Sequence, residues 1–259
     1  MDQPDPNSAD TPDTSEVVPG NSAVHFSIIV PAHDEEALIA GTLEAIHDSF
    51  TPLGRPYEVI VAADGCTDAT AAIAAGHGAI VVTHERRQIA ATRNLGARTA
   101  SGQVLVFVDA DTRVNPLAIE QMIALIDAGA VAGGAPFLFD GPMPRYLRIL
   151  LPLAIGIFRL ANLAGGAFMF STREAFDAAG GWDERFYAAE EIDLARRLKR
   201  QGRFRLIRQP VTTSGRKVRT HSLGELLSLF LRGGLMPWTL KDRSKLGFFY
   251  GKRRIDPME

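Results

Sequence analysis

Three observations predict an α/β fold for this 259-residue chain, with a mostly parallel, doubly wound sheet flanked by helices. Short apolar, β-branched runs alternate with helix-forming stretches in the order β-α-β-α-β-α-β, and the connections are short enough to require right-handed crossovers. Within the runs nearly every residue is apolar, as in strands buried on both faces. Acidic residues follow where the strands stop, at the edge where open α/β sheets bind their ligands. The clearest run, residues 104–111, reads Val, Leu, Val, Phe, Val, Asp, Ala, Asp.

The first strand is expected over residues 26–30, ending at Pro31, with His33, Asp34, Glu35 and Glu36 opening a helix to about Ser49. Acids in a first helical turn suit the helix dipole. A second strand over 58–63 ends in Asp64-Gly-Cys-Thr-Asp68, where Thr67 or Asp68 caps an alanine-rich helix to Ala75. A third strand over 79–83, a helix over 88–100 carrying Arg93 and Asn94, and the central strand follow. Asn115 and Pro116 read as an N-cap and first helical position for a helix to Asp127. Next come a strand over 131–139, a long apolar helix over about 145–163, a strand after Gly165 and Gly166, a helix over 189–201 closed by Gly202, and short strands over 204–207 and 211–214. Ser222 is expected to cap a last helix to Leu231, before a basic, aromatic tail.

Composition narrows the function. A net charge of −2 gives no reason to expect nucleic acid as a partner. The single cysteine, Cys66, excludes an internal disulfide framework and a multi-cysteine zinc site, and fits a reducing compartment. Residues 1–22, rich in Asp, Pro, Ser and Thr, read as a disordered tail with no signal-peptide character. The apolar stretch over 149–158 is interrupted by Pro152 and Gly156 and is too short to span a bilayer. No Gly-x-Gly-x-x-Gly follows the first strand, which counts against a dinucleotide-binding dehydrogenase.

Asp109 and Asp111, one residue apart at a strand end, are the leading chemical candidates. Hard divalent cations take oxygen ligands, and Mg²⁺ is usually held by one or two carboxylates plus substrate phosphates. The same two residues also read as ordinary strand-end and turn residues leading into the helix at Pro116.

Taken in order, Pro31-Ala-His-Asp-Glu-Glu36, Ala63-Asp-Gly-Cys-Thr-Asp-Ala-Thr70, Arg93-Asn94, Asp109-Ala110-Asp111, Gly165-Gly166 and Glu190-Glu-Ile-Asp-Leu194 resemble the family 2 inverting glycosyltransferases over residues 26 to about 221. The resemblance implies a GT-A fold, Rossmann-like, with a smaller acceptor-side C-terminal part. It divides the chain into a tail over 1–23, a glycosyltransferase domain over 24–221 with a nucleotide-binding half (24–115) and an acceptor half (116–221), and a helical, basic extension over 222–259. It also implies a nucleotide-diphospho-sugar donor, a UDP-sugar by default, and Mg²⁺ or Mn²⁺ as cofactor.

By the same resemblance, Pro31, Ala32, Asp34 and Glu35 match the loop lying against the nucleoside, and Asp64 the acid that hydrogen-bonds the base. Arg93 matches a basic residue near the diphosphate. Asp109, Ala110 and Asp111 match the donor and metal site, the first acid facing ribose or sugar and the second the metal. Glu191 aligns with the general base, with Glu190 beside it as the alternative. The purely structural reading of those acids is a dipole-favoured helix start, with Asp193 pairing Arg197 four residues on. His221 is a candidate third metal ligand, and Arg216 and Arg219 are candidates to grip the diphosphate. Gly165, Gly166 and Trp182 resemble acceptor-side elements, Trp182 offering its ring to a sugar or lipid or else packing in the core.

The expectation is therefore a metal-dependent inverting glycosyltransferase adding a single sugar to a hydroxyl acceptor: a glycan, a lipid-linked molecule or a small molecule. By the same resemblance a polymer synthase is disfavoured, since the family's processive members carry a Gln-x-x-Arg-Trp after the base and several membrane spans, and neither appears here. The expected location is the cytoplasm, with peripheral contact at the inner membrane face as a further option for the apolar helix and basic tail. The alternatives are a noncatalytic sugar-nucleotide or glycan-binding module and a sugar nucleotidylyltransferase, which would want a glycine-rich basic loop after the first strand.

Overall fold

The computed structural model describes residues 25–144 and 165–220, with the isolated positions 156, 224, 241, 242 and 246. The tail over 1–23, the helix expected over 145–163, His221, the cap at Ser222 and nearly all of the extension over 222–259 lie outside the described residues. Among the described residues no helix is long and apolar enough to cross a membrane.

Strands β1 (Phe26–Ala32), β2 (Tyr57–Asp64), β3 (Ile80–His84) and β4 (Val104–Val108) pair in parallel in the order β3-β2-β1-β4. Helices α1 (Ile39–Phe50), α2 (Thr70–Gly76) and α3 (Ile89–Thr99) make the crossovers, realising the expected alternation. The sheet continues through β8 (Phe168–Thr172), β6 (Ala132–Gly134) and β9 (Phe204–Leu206) to seven strands, with β8 antiparallel to both neighbours. Both faces are covered, so the apolar runs divide by the two-residue strand period. Ile28, Val30 and Val106 face α1 and α4 (Pro116–Asp127), while Ile29, Leu105 and Phe107 face α3, α5 (Arg173–Ala178) and α6 (Glu190–Leu198). Each such side chain, once buried, contributes roughly 1.5–3 kcal/mol. Helix α3 lies so close to the sheet that a Cβ on Gly96 would sit 2.4 Å from Ile29 Cγ2.

A second, three-stranded sheet in the order β5-β10-β7 joins β5 (Thr112–Arg113), β10 (Val211–Thr213) and β7 (Phe137–Phe139). Because β5 follows directly on Asp111 and pairs antiparallel with β10 (Thr213 opposite Thr112), the residues leaving β10 run towards Asp111. The short helix α7 (Arg216–Thr220) starts there.

Several boundaries differ from expectation for physical reasons. Strand β1 runs through Pro31 to Ala32, because its pairing with β2 continues there while its ladder to β4 ends at Ile29. Helix α1 starts at Ile39 rather than at the acids, which are used across the loop instead: Glu36 Oε2 accepts the Ala69 N–H at 3.0 Å, and the Glu35 N–H donates to Thr70 Oγ1 at 2.7 Å. The strand expected over 131–139 is two strands in two different sheets, separated at Pro136, which has no N–H to donate. Helix α6 ends at Leu198 with Lys199 as its cap, and Gly202 instead passes beneath Val131, whose Cγ1 would lie 2.8 Å from an added Cβ.

Candidate active site

The site is built around a buried arginine. Arg93, on α3, is 2% exposed, and burying a guanidinium is tolerated only where acids and acceptors surround it. Its Nη1 donates to Glu190 Oε1 at 2.7 Å, and its Nη2 donates to Asp109 Oδ1 at 2.7 Å and to the Gly166 carbonyl at 3.2 Å. The guanidinium lies 4.5 Å from the Trp182 ring centroid. Burial would lower its pKa, but Asp109 and then Glu190 outweigh burial and drive it higher, so the charge is permanent.

This arrangement divides the two glutamates at the start of α6. Glu190 is buried and committed to Arg93, whereas Glu191 forms no salt bridge among the described residues. Glu191 is half-buried as a residue, with its carboxyl in the inner part; burial, and after it the charge of Glu190, push that carboxyl up to about 8. Its Cδ would lie 3.9 Å from a Cβ placed on Gly166, so the carboxyl packs against that glycine's backbone. Asp193 pairs with Arg197 at 2.8 Å, as expected from their spacing.

Asp111 belongs to a different cation. Its Oδ2 lies 3.4 Å from Arg216 Nη2, which also pairs with Glu35, and its Oδ1 accepts from Thr213 Oγ1 at 3.2 Å. Arg219 turns away to Asp140, donating to its carbonyl at 2.7 Å and to Oδ1 at 3.1 Å. The structure thus brings Asp109, Glu190, Glu191, Arg93 and Gly166 together, joins Asp111, Glu35 and Arg216 into a second group, and leaves Arg219 in a third.

The loops after β1 and β2 form the remaining wall. Asp64 is buried at the end of β2, accepting the N–H groups of Arg87 (2.6 Å) and Gln88 (2.7 Å) and the hydroxyl of Thr92 (2.8 Å), so in this structure it anchors the entry to α3. Asp34 adopts a left-handed backbone, φ 51°, and its Oδ1 accepts the Thr67 N–H at 2.7 Å. Pro31 and Ala32 are buried strand residues ending at this loop. The one trio of potential metal ligands within reach of each other among the described residues is His33, Asp34 and Cys66. Both ring nitrogens of that histidine already meet protein groups, Asp64 O at Nδ1 and Arg87 at Nε2.

Trp182 follows the second of its two readings, the core residue. It is 2% exposed and packs edge-on against Phe107 with centroids 5.1 Å apart, so its ring supports Arg93 from within the core and offers no face to a sugar. Asn94 has a role that sequence reading passed over: Nδ2 donates to the Trp182 carbonyl at 2.9 Å and to Glu184 Oε1 at 3.0 Å, while Oδ1 accepts the Trp182 N–H at 2.9 Å. The available signal was its adjacency to Arg93, since consecutive helical residues point in different directions and can grip two different neighbours.

A seven-stranded, mostly parallel sheet carrying acid pairs at its C-terminal edge, with an inserted antiparallel strand and a small second sheet, is the GT-A fold. Residues 27–175 match the model for glycosyl transferase family 2, and the chain belongs to that family. An uncharacterized glycosyltransferase of Mycobacterium bovis is 30% identical over 104 residues, 40% of this chain and 44% of the relative, so the chain spans less than half of that relative's length. Among solved structures, the mannosyltransferase PcManGT of Pyrobaculum calidifontis, in complex with GDP-Man and Mn²⁺, superposes with a TM-score of 0.60 at 18% identity, covering 88% of this chain and 72% of that one. S. aureus TarS 1–349 in complex with UDP gives a TM-score of 0.59 at 18% identity, with 87% and 70% covered.

Proposed function

We propose that this chain is a metal-dependent inverting glycosyltransferase that moves one sugar from a nucleotide-diphospho-sugar, a UDP-sugar by default, to a hydroxyl acceptor. The observation carrying this reading is that Arg93 ties Asp109 to Glu190 and thereby sets Glu191, a carboxyl of raised proton affinity, beside the first acid of the Asp109–Asp111 pair. Glu191 removes the acceptor hydroxyl proton as that oxygen bonds to the anomeric carbon and the bond from that carbon to the diphosphate oxygen breaks. A glutamate pushed up towards neutrality is a stronger base than an ordinary one.

Asp109 and Asp111 are the residues that would hold Mg²⁺ or Mn²⁺, and two carboxylates completed by phosphate oxygens suit such an ion. The local field also fits a cation, since the carboxylates of Glu35 and Asp111 already converge on a guanidinium. When bound, the ion offsets the charge developing on the departing nucleoside diphosphate.

The test uses UDP- and GDP-sugars with Mn²⁺, Mg²⁺ or EDTA, measuring donor binding by calorimetry and transfer to hydroxyl acceptors. Glu191→Gln is expected to bind donor and lose transfer, and Asp111→Asn to lose metal-dependent donor binding. Unchanged transfer by Glu191→Gln would remove Glu191 as the base. Donor binding without turnover by the wild type, across acceptor classes, would make the chain a binding module.

A further inference from the structure

We propose that Arg216 is a built-in counter-ion that occupies Asp111 in place of the divalent cation and is displaced when that cation binds. The inference rests on the reading of Asp109 and Asp111 as the metal pair and adds a competitor for it within the chain.

One nitrogen, Arg216 Nη2, serves two carboxylates: Glu35 from the loop after β1, and Asp111, 3.4 Å away, from the loop after β4. Two carboxylates converging on one point repel each other unless a positive charge lies between them. Some cation therefore belongs there in every state of the site, and in the metal-free state Arg216 supplies it. A Mg²⁺ ion on Asp111 would approach its oxygens to about 2.0–2.1 Å. A guanidinium and a divalent ion at the same carboxylate repel, so the two occupancies oppose each other, and the coupling is reciprocal.

Arg216 also holds Asp111 through one long contact only, a nitrogen 3.4 Å away that it shares with Glu35. It is 8% exposed, and its Nη1 is buried with no hydrogen-bond partner among the described residues. A buried donor left unmet favours any arrangement that satisfies it. The backbone around it is held independently: the Ser214 N–H donates to the Asp111 carbonyl at 3.1 Å and the Gly215 N–H to Asp140 Oδ1 at 2.7 Å. The exchange is therefore a side-chain rotation about a fixed helix start. A guanidinium released in this way keeps two parallel N–H groups, the geometry that grips phosphate oxygens.

Mn²⁺ binding to the full chain without nucleotide, followed by paramagnetic resonance and by thermal unfolding, tests the exchange on wild type, Arg216→Gln and Arg216→Lys. Arg216→Gln is expected to bind Mn²⁺ about tenfold more tightly than wild type, the gain if the guanidinium holds Asp111 about nine-tenths of the time. Its Tm in EDTA should be lower than that of the wild type and should rise more on adding Mn²⁺, while Arg216→Lys behaves like the wild type. Equal or weaker Mn²⁺ binding by a folded Arg216→Gln overturns the proposal and leaves the metal pair standing. No Mn²⁺ binding by either protein overturns the metal pair and this inference together. Should Arg216→Gln fail to fold, the wild-type Arg216 Nε–H resonance, assigned with Arg216→Lys, is followed through a Mg²⁺ titration. A saturable shift with the midpoint of the Mg²⁺-induced Tm rise upholds displacement, and an unmoved resonance overturns it.

Discussion

Arg93 and Arg216 each sit between two carboxylates, and each holds one acid of the Asp109–Asp111 pair. Arg93 is enclosed on several sides: two acids and a carbonyl take its Nη groups, and an indole lies against its plane. Arg216 spends one nitrogen on both of its acids, and its Nη1 has no partner among the described residues. A buried charge held by short bonds to two acids is part of the framework, because moving it would leave both acids without their counter-charge. Each guanidinium keeps one buried nitrogen without a partner among the described residues, Nε of Arg93 and Nη1 of Arg216, so the difference lies in the contacts made: Arg93 gives separate nitrogens to its two acids at 2.7 Å, whereas Arg216 shares one nitrogen and reaches Asp111 only at 3.4 Å. Two neighbouring acids in the sequence thus fall under different regimes, one fixed and one exchangeable.

The strongest way to break this contrast is Arg93→Met. Removing the guanidinium leaves Glu190 buried without its counter-charge and releases Asp109, and breaking a buried pair in this way costs about 3–5 kcal/mol. Urea unfolding should show that loss, and Arg93→Lys should recover only part of it, since a point charge cannot reach both acids and the Gly166 carbonyl.

Next in expected size is Glu191→Gln, which should lower transfer by about 10²–10⁴-fold. Its stability signature has a defined sign. The folded protein holds the Glu191 proton up to about 8, whereas the unfolded chain releases it near the ordinary glutamate value of about 4.5, so wild-type stability from this group falls as pH rises through that window. Glu191→Gln carries no such penalty, so its Tm relative to the wild type should be higher at pH 8 than at pH 5. An equal offset at both pH values would show that the carboxyl is not held protonated. In wild-type pH–rate profiles, kcat/KM should rise with pH towards a plateau above about 8, reporting the free enzyme's base.

A smaller effect is expected from Gly166→Ala. Its Cβ would fall 3.3 Å from Arg93 Nη2, a tight approach, and in ordinary contact 3.9 Å from Glu191 Cδ, so it presses the fixed arginine that orients the site. Overpacking of this kind costs about 1–3 kcal/mol, and transfer should fall more than thermal stability does. The least effect belongs to Asp193→Asn. This breaks a partly exposed i,i+4 pair with Arg197 and should change stability by about 0.3–0.5 kcal/mol with transfer intact. A large loss of transfer there would mean that the wrong acid of α6 has been assigned to the chemistry.

Much of the fold was legible because the signals are local. The strand runs, the Asn115 cap, which accepts the Ala118 N–H at 3.0 Å, and the Asp193–Arg197 pair all depend on residues a few positions apart. The acids after Pro31 misled for the same reason. Glu35 and Glu36 suit a helix start by dipole, but a loop more than thirty residues away offered better partners. Trp182 stood open between sugar platform and core residue, and only the packing of Phe107 against it settled that.

By itself, the sequence determined the α/β alternation, the acids at the strand ends and the order of motifs that marks the family, because strand period, capping and motif spacing are written in contiguous residues. The tertiary structure alone decided which charges meet. Arg93 and Glu190 are 97 residues apart, and Arg216 and Asp111 are 105 apart. Such pairs exist only once the sheet order and the small second sheet have carried their backbones to one edge, where low dielectric makes every unpaired charge expensive and so selects its partner.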